Sequence, residues 1–319
     1  EIGITTDIEA TIKEEGEIVV SAKLFLDIVR RLPEEIVFIE TDERMVTYIA
    51  CGKVNYQIVG MSSVEYPDLP SFEQTDRITL NAKILRDMIR QTVYAVSENT
   101  AKPIYTGSLY EIEDGIFKII AIDGYRMAIR SENVDSESKN RFVVPGKTQH
   151  EVLKLLTDDE ENTEIIIGQR HITFKIKNYR IISRLIEGTF IEYKSAIPKE
   201  TKTEVVINTR TIIDAVERMS LLNNDRIQSP VRCIFSDDEI KLSCTSAVGR
   251  ANDVISVPII GESVEIGFNN RYLLDALKNA DTDEIKLILN GSLTAMIVKP
   301  VKGDSYLSIV VPMRLANEN

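Results

Sequence analysis

Five times along the chain a basic residue is followed four places later by an acid, and in four of the five copies a second base stands seven places on. The starting positions are Lys23, Lys83, Lys147, Arg210 and Arg271, at intervals of 60, 64, 63 and 61 residues. The acids are Asp27, Asp87, Glu151, Asp214 and Asp275. The second bases are Arg30, Arg90, Lys154 and Lys278, and in the remaining copy Glu217 takes that place with Arg218 beside it. A period of this length marks a supersecondary unit copied along the chain, because one such unit cannot bury its apolar face alone and must stack on its neighbours. The question for fold and function is what a series of these units lines or encloses.

Each copy has the same local grammar of a short extended segment, an amphipathic helix, then strands. The extended segments are Ile18 to Ser21, Ile78 to Asn81, Phe142 to Pro145, Val205 to Asn208 and Val264 to Phe268. In the second copy Ile84, Leu85, Met88, Ile89 and Val93 fall on one helical face, while Lys83, Arg86 and Arg90 lie off it. Strand pairs follow around short turns, at 45–50 with 54–59, 108–112 with 116–122, and 233–235 with 240–244, and read as antiparallel hairpins. The fold class expected is α+β, built from helix-plus-antiparallel-sheet units.

A longer period lies over the shorter one. Glu65-Tyr66 ahead of Pro70 recurs as Glu192-Tyr193 ahead of Pro198, an offset of 127 residues, in stretches that read as connecting segments. Two units therefore make one domain, which sets expected domains of 1–73, 74–200 and 201–319. The first would hold a single helical unit. Glu1 to Thr11 reads as the last strand of a second, comparable to Ala121 to Ser131, so the expectation is a chain lacking roughly fifty residues upstream, one repeat period.

The formal charge of −12 argues at first against a polyanionic partner. Its distribution argues the reverse. The five helical stretches carry 12 basic and 6 acidic residues, leaving 26 basic and 44 acidic elsewhere. Helices that all face one way would give a basic surface on an acidic body; taken singly, each is equally an ordinary solvated face with i,i+4 pairs.

No catalytic constellation accompanies this pattern. The sequence has no GxGxxG, P-loop or GxSxG. Cys51, Cys233 and Cys244 lack CxxC spacing and read as buried thiols of a reducing cytoplasm. His150 and His171 have no cysteine or second histidine at metal-ligand spacing. The acidic runs Asp158 to Glu161 and Asp237 to Glu239 could hold a divalent cation or be solvated turns, and the connecting positions favour turns. No apolar run reaches a membrane span, and the first residues do not read as a signal peptide. Neither metal, cofactor nor membrane is expected.

Several segments in order, ITLNAKILRDMIR (78–90), AIDGYRMAI (121–129), GTFIEYKSAIP (188–198), EIGFNNRYLLDAL (265–277) and IVVPMRL (309–315), resemble the bacterial sliding clamp, the beta subunit of DNA polymerase III. The resemblance covers essentially the whole chain; Ala316 to Asn319 run past the usual Met-Arg-Leu ending. It implies a DNA clamp fold of three similar domains in an arc, the first incomplete, and a head-to-tail homodimer ring of twelve helices around double-stranded DNA. It further implies a cytoplasmic, non-catalytic processivity factor for DNA replication. Implied partners are the polymerase III alpha subunit, the clamp loader and other proteins carrying a clamp-binding motif.

The resemblance also implies sites. The DNA-lining set would be Lys23, Arg30, Lys83, Arg86, Arg90, Asn99 and Lys102, then Lys147, Lys154, Arg210, Arg218, Arg271 and Lys278. A groove for apolar partner peptides would comprise Tyr105, Ile122, Gly124, Tyr125, Arg126, Met127, Ile191 and Ala196, with Asn269, Tyr272, Leu293, Ile309, Val310, Val311, Pro312, Met313, Arg314 and Leu315. Tyr105 is bulkier than the usual Leu, Tyr125 stands where His is common, and Ser195 where Arg can occur. Read from the residues alone, Val310, Val311 and Met313 are equally a core-filling last strand, although Pro312 cannot donate to a ladder and suits an edge. Ring closure would join Tyr56 and Ile58 to Leu221 and Leu222 of a second copy, though these too could be plain core. Two other readings stay open: a monomeric clamp-like module that binds polymerase-type peptides without encircling DNA, and a repeat-built enzyme whose site the sequence does not advertise.

Overall fold

The computed structural model describes residues 2–69, 76–157, 161–223 and 229–315. Pro70, the boundary expected near 73, Asp158 to Glu160 and the tail 316–319 lie outside the described residues. The chain divides into a small unit, residues 7–71, and a large one of residues 1–6 with 72–319.

In the small unit the helix α1 (Ala22–Val29) begins at Ser21, whose hydroxyl accepts from the Leu24 amide. Strands Val37–Thr41, Val46–Cys51 and Val54–Val59 form an antiparallel sheet in that order. Gly52 sits at φ +57° in the tight turn between the last two, the left-handed conformation that favours glycine. Ile28, Ile49 and Ile58 make the core, with Val20, Phe25, Leu32 and Tyr56 packed on it. The extended segment expected at 18–21 is here reduced to a single bridge, Val19 to Met61, and no longer strand lies beside it among the described residues.

The large unit holds α2 (Ala82–Val93), α3 (Gly146–Leu155), α4 (Thr209–Ser220) and α5 (Asn270–Lys278). Each is entered from a strand, as the repeat predicts: Arg77–Asn81, Asn140–Pro145, Thr203–Asn208 and, one residue further back, Val264–Phe268. Three entries are capped by asparagine. The Oδ1 of Asn81 accepts from Lys83 N (2.9 Å), that of Asn208 from Thr211 N (3.0 Å), and that of Asn269 from Arg271 N (3.0 Å). Each cap satisfies an amide the helix leaves orphaned, worth about 1 kcal/mol. The repeat thus places its first base within the first turn after the cap, where it stays exposed.

Two cores result. Leu85, Met88, Ile89 and Val93 of α2 and Val152 of α3 bury among Ile78, Tyr110, Ile119, Ile165 and Phe174. Ile212, Val216 and Met219 of α4 and Leu273 and Leu277 of α5 do the same among Val231, Phe235, Leu242, Ile266 and Leu287. The two halves share a nine-stranded antiparallel sheet, joined where Arg126–Asn133 pairs with Tyr306–Val310 and Ala128 stands opposite Ser308. The same junction occurs once more: Ile2–Thr6 pairs with Tyr179–Arg184, Ile4 opposite Ile181. Ile181 and Ser308 are 127 positions apart, the long period read from Glu65-Tyr66 and Glu192-Tyr193.

At the larger junction α2 and α5 lie on one side of the sheet, and α2 meets the residues that follow α5. Tyr94, just past α2, shares hydrogen bonds with Tyr306 (3.0 Å) and Ser308 (2.8 Å), and Gln91 Nε2 donates to the Asn279 carbonyl (3.0 Å). Ala95, Ala121 and Ala128 supply the small surface that lets the helix end approach the strands. Residues along Tyr306–Val310 alternate, with 306, 308 and 310 toward the helices and 307 and 309 toward the other face.

Candidate functional site

The expected basic positions stay at the helix surface: most are exposed, and Arg86 and Arg90 are half-buried. They differ in how much charge they offer. Lys23, Arg30, Lys83, Lys102 and Lys147 have no acidic group within 4 Å among the described residues, and Asn99 is exposed with its Oδ1 accepting from Ala101 N. The others are engaged. Arg90 pairs with Asp281 (2.5 Å), Lys154 with Glu151 (2.8 Å), Arg210 with Asp214 (2.8 Å), Lys278 with Glu217 (2.7 Å), Arg271 with Glu98 (3.3 Å) and Arg218 with Asp253. Lys278 beside Glu217 holds that carboxyl below its usual range, so the residue that breaks the repeat serves as partner to the next copy's base. Arg210 and Lys278 line one open cleft of about 310 Å3 with Asn208, Thr209, Asp281 and Asp283.

The repeat predicts a base-to-acid pair four places apart in every helix. Among the described residues only Arg210–Asp214 realises it from the first base. In α5 both members are diverted: Arg271 goes to Glu98, and Asp275 goes to Arg126 of the other half. Arg126 is 5% exposed. Its Nε donates to Asp123 Oδ2 (3.0 Å), its Nη1 to Asp275, and its guanidinium lies 4.6 Å from the centre of the Tyr272 ring and 5.3 Å from that of Tyr94. Burial pushes the Tyr94 phenol up to about 12 and raises that of Tyr272. Expected as a groove residue, Arg126 is therefore held inside a junction between the two halves. Asp123 Oδ1 also accepts from Tyr125 N and Arg126 N, closing a turn in which Gly124 takes φ +96°.

The opposite face of the sheet brings together a second set. Met127 and Ile309 are buried in one apolar cluster with Leu109, Ile120, Phe190 and Tyr193, and Tyr105 and Ile122 pack against it half-buried. Tyr105 meets Phe190 edge to face at 5.8 Å. Ile191 and Ala196 flank Tyr193 and are exposed. Tyr125 is 60% exposed and stacks on Tyr272 at 5.7 Å, while Asn269 caps α5 just before that ring.

The end of the chain runs past this cluster. The Val311 amide donates to the Tyr125 carbonyl (2.9 Å), and beyond Pro312 the Met313 amide donates to the Gly267 carbonyl (2.8 Å). A Cβ on Gly267 would come within 2.6 Å of Leu315 Cδ2, so the absent side chain makes room for the tail. Val311 is exposed, Pro312, Met313 and Leu315 are half-buried and Arg314 is exposed. Val310 corrects the expectation: its side chain points into the helix-side core, because the strand alternates and Ile309 takes the other face. Leu293 stands 83% exposed in a loop and is not part of the apolar cluster.

The positions expected to close a ring are likewise sorted. Val54–Val59 is an edge strand, but Ile58 is buried in its own unit's core and Tyr56 packs against it. Leu221 is 82% exposed at the end of α4 and Leu222 is half-buried against that helix's core.

The remaining chemistry is sparse. Asp237 and Asp238 adopt positive φ in a hairpin turn, Asp238 accepts from Ile259 N, and no group of three or more potential metal ligands occurs among the described residues. The three cysteines are free and buried, and burial pushes the Cys233 thiol up to about 12. Among the described residues no helix is long and apolar enough to cross a membrane. Sequence reasoning missed the buried acid Glu111, the half-buried Asp123 and the anchoring role of Tyr193, although Tyr193 stood in the long-period motif.

The comparisons with known proteins agree on one family. Models for the N-terminal, central and C-terminal domains of the DNA polymerase III beta subunit match residues 1–70, 79–192 and 194–314. The beta sliding clamp of Halalkalibacterium halodurans is 34% identical over 95% of this chain and 82% of its own length, and that of Bacillus subtilis 32% identical over 95% and 82%. The solved sliding clamp of B. subtilis superposes with a TM-score of 0.95 at 32% identity, covering 99% of this chain and 86% of the other. The Pseudomonas aeruginosa beta subunit gives 0.94 at 26%, covering 99% and 87%. The N-terminal-domain model is matched from residue 1, and the chain spans 82% of the length of these two curated relatives. A chain of basic-faced helices on antiparallel sheets, matched along nearly its whole length by all three domain models, belongs to the beta sliding clamp family, the processivity subunits of DNA polymerase III.

Proposed function

We propose that this chain acts in the cytoplasm as a clamp subunit of three domains, 1–73, 74–200 and 201–319. Two copies close head to tail around duplex DNA and tether the replicative polymerase through its alpha subunit. The observation that carries this reading is the recurrence of exposed bases at the start of five helices on a chain whose other residues are strongly acidic. A duplex presents about one negative charge per 1.7 Å of axis, so such a lining attracts it without reading bases, and the acidic remainder discourages binding elsewhere. The ring itself retains the DNA. Its hold on the duplex stays weak and mobile, which permits sliding, and no bond is made or broken.

Lys23, Arg30, Lys83, Lys102 and Lys147, which have no acid beside them among the described residues, would supply most of this attraction, and the bases already joined to carboxylates less. For closure, the edge strand Val54–Val59 of one copy would meet the end of α4 in the next, with Leu221 as the apolar contact. Topology gives the test. Placed on a nicked circular duplex by a clamp loader, the protein is expected to stay with the DNA through gel filtration at high salt and to leave once the circle is cut. Equal loss from circle and linear DNA would favour the module that does not encircle.

The apolar cluster on the helix-free face, rimmed by Tyr125, Ile191 and Val311, is the proposed partner groove for the polymerase, the clamp loader and other proteins with an apolar clamp-binding peptide. Val311→Asp sets an unpaired carboxylate on the apolar rim that a bound peptide would have to desolvate, and is expected to weaken an apolar peptide roughly tenfold in fluorescence anisotropy, with little change in melting because the side chain, 39% exposed, is at the surface. Unaltered affinity would remove this face as the partner site.

A further inference from the structure

Residues 186–197 lie over the helix-free face of the nine-stranded sheet, where Phe190 and Tyr193 are buried in its apolar cluster. One carboxylate sits among these apolar groups. Glu111, on the same face of its strand as Leu109, is 7% exposed, and the Tyr193 hydroxyl donates to its Oε1 at 2.7 Å. Its cationic neighbours are further off and about half in solvent, with Arg141 Nε at 3.9 Å and Lys194 Nζ at 4.0 Å. Burying a carboxylate beneath an apolar segment costs stability unless it is hydrogen-bonded, and an aliphatic residue would fill the place without that cost. What the pair adds is direction, because two buried polar groups satisfy each other in one arrangement of the segment only.

The segment so fixed carries Ile191 two places before Tyr193 and Ala196 three places after it, the exposed ends of the proposed groove wall. A short helical turn, Tyr193–Ala196, joins the anchor to Ala196, and Ser195 Oγ donates to the Glu192 carbonyl (2.8 Å) beside it. Glu192 in turn lies 3.9 Å from the same Arg141. The other copy of the motif lacks this anchoring: Tyr66 is exposed.

We infer that the Tyr193–Glu111 hydrogen bond is a latch that sets the wall of the partner groove, making both residues positioning residues for peptide affinity that do not themselves touch the peptide. The inference rests on the groove reading above. Tyr193→Phe keeps the ring and removes the bond, and should weaken an apolar peptide about fivefold, the usual weight of one net hydrogen bond. Glu111→Gln keeps an acceptor and should bind as the parent does. In the double variant Tyr193→Phe with Glu111→Leu both buried polar groups are gone, so melting should return toward the parent while binding stays weak. Affinity that recovers together with melting in the double variant, or that never changes, overturns the latch and assigns the pair to stability alone. Val311→Asp separates the two readings: a loss there with none in Tyr193→Phe leaves the groove standing without the latch, whereas no loss at Val311 removes the groove and the latch with it.

Discussion

Neutralising Lys83, Lys102 and Lys147 together to glutamine is expected to flatten the salt dependence of duplex binding by about 2.7 in the log–log slope, at roughly 0.9 for each phosphate that is no longer neutralised. The same slope implies a loss on the order of a hundredfold in affinity at 0.15 M salt, shrinking toward nothing near 1 M. These three are chosen because they are exposed and have no acid within 4 Å among the described residues, so their full charge faces outward. Arg90 and Lys278 make a poorer probe. Each is already joined to a carboxylate, Asp281 and Glu217, and removing the base would also leave that acid facing the duplex. Melting should hardly move, since none of the three side chains is buried. Anisotropy of a short labelled duplex between 0.05 and 0.2 M salt measures the slope, and a triple variant with the parent's slope would show that these helix faces do not meet phosphate.

How far the sequence foretold this structure depends on how local each cause is. The helix entries were legible because Asn81, Asn208 and Asn269 cap amides within three residues of themselves. The hairpins were legible because alternation and turn residues such as Asp114-Gly115 act over a few positions. The apolar face of α2 followed from its spacing alone. What could not be read depends on residues far apart. Whether Ile309 or Val310 faces the groove is set by the register against Met127 and Arg126, fixed by the whole sheet. Which bases keep their charge free depends on acids such as Asp281 and Asp253, which lie on other elements. Tyr193 looked like part of a polar connecting segment because Glu111, its partner, is 82 residues away.

The junction at Arg126 illustrates the same point and yields the largest expected change in stability. Its guanidinium is enclosed by Asp123, Asp275 and two tyrosine rings, and Asp275 comes from a position 149 residues on. Arg126→Leu would leave the nearly buried Asp123 without its counter-charge and take away one of the links between the two halves of the large unit. Breaking a buried pair from one side typically costs about 3–5 kcal/mol. For a unit of this size that lowers the melting temperature by roughly 6–20 °C, at about 2–4 °C per kcal/mol. One compensation is available. Asp275, once released, stands four places from Arg271 and could form the pair that the repeat predicts and the native junction prevents. An exposed pair of that kind is worth only about 0.3–0.5 kcal/mol, too little to offset the loss. Adding Asp123→Asn to Arg126→Leu should recover part of the stability, because the carboxylate left behind is the main penalty, whereas Asp275→Asn added instead should recover less, since that side chain is about one-third exposed. Calorimetric melting of the single and double variants gives the order directly. Equal rescue by both, or a melting point unmoved by Arg126→Leu, would mean that the junction is held by the tyrosine rings and the shared sheet rather than by the charges.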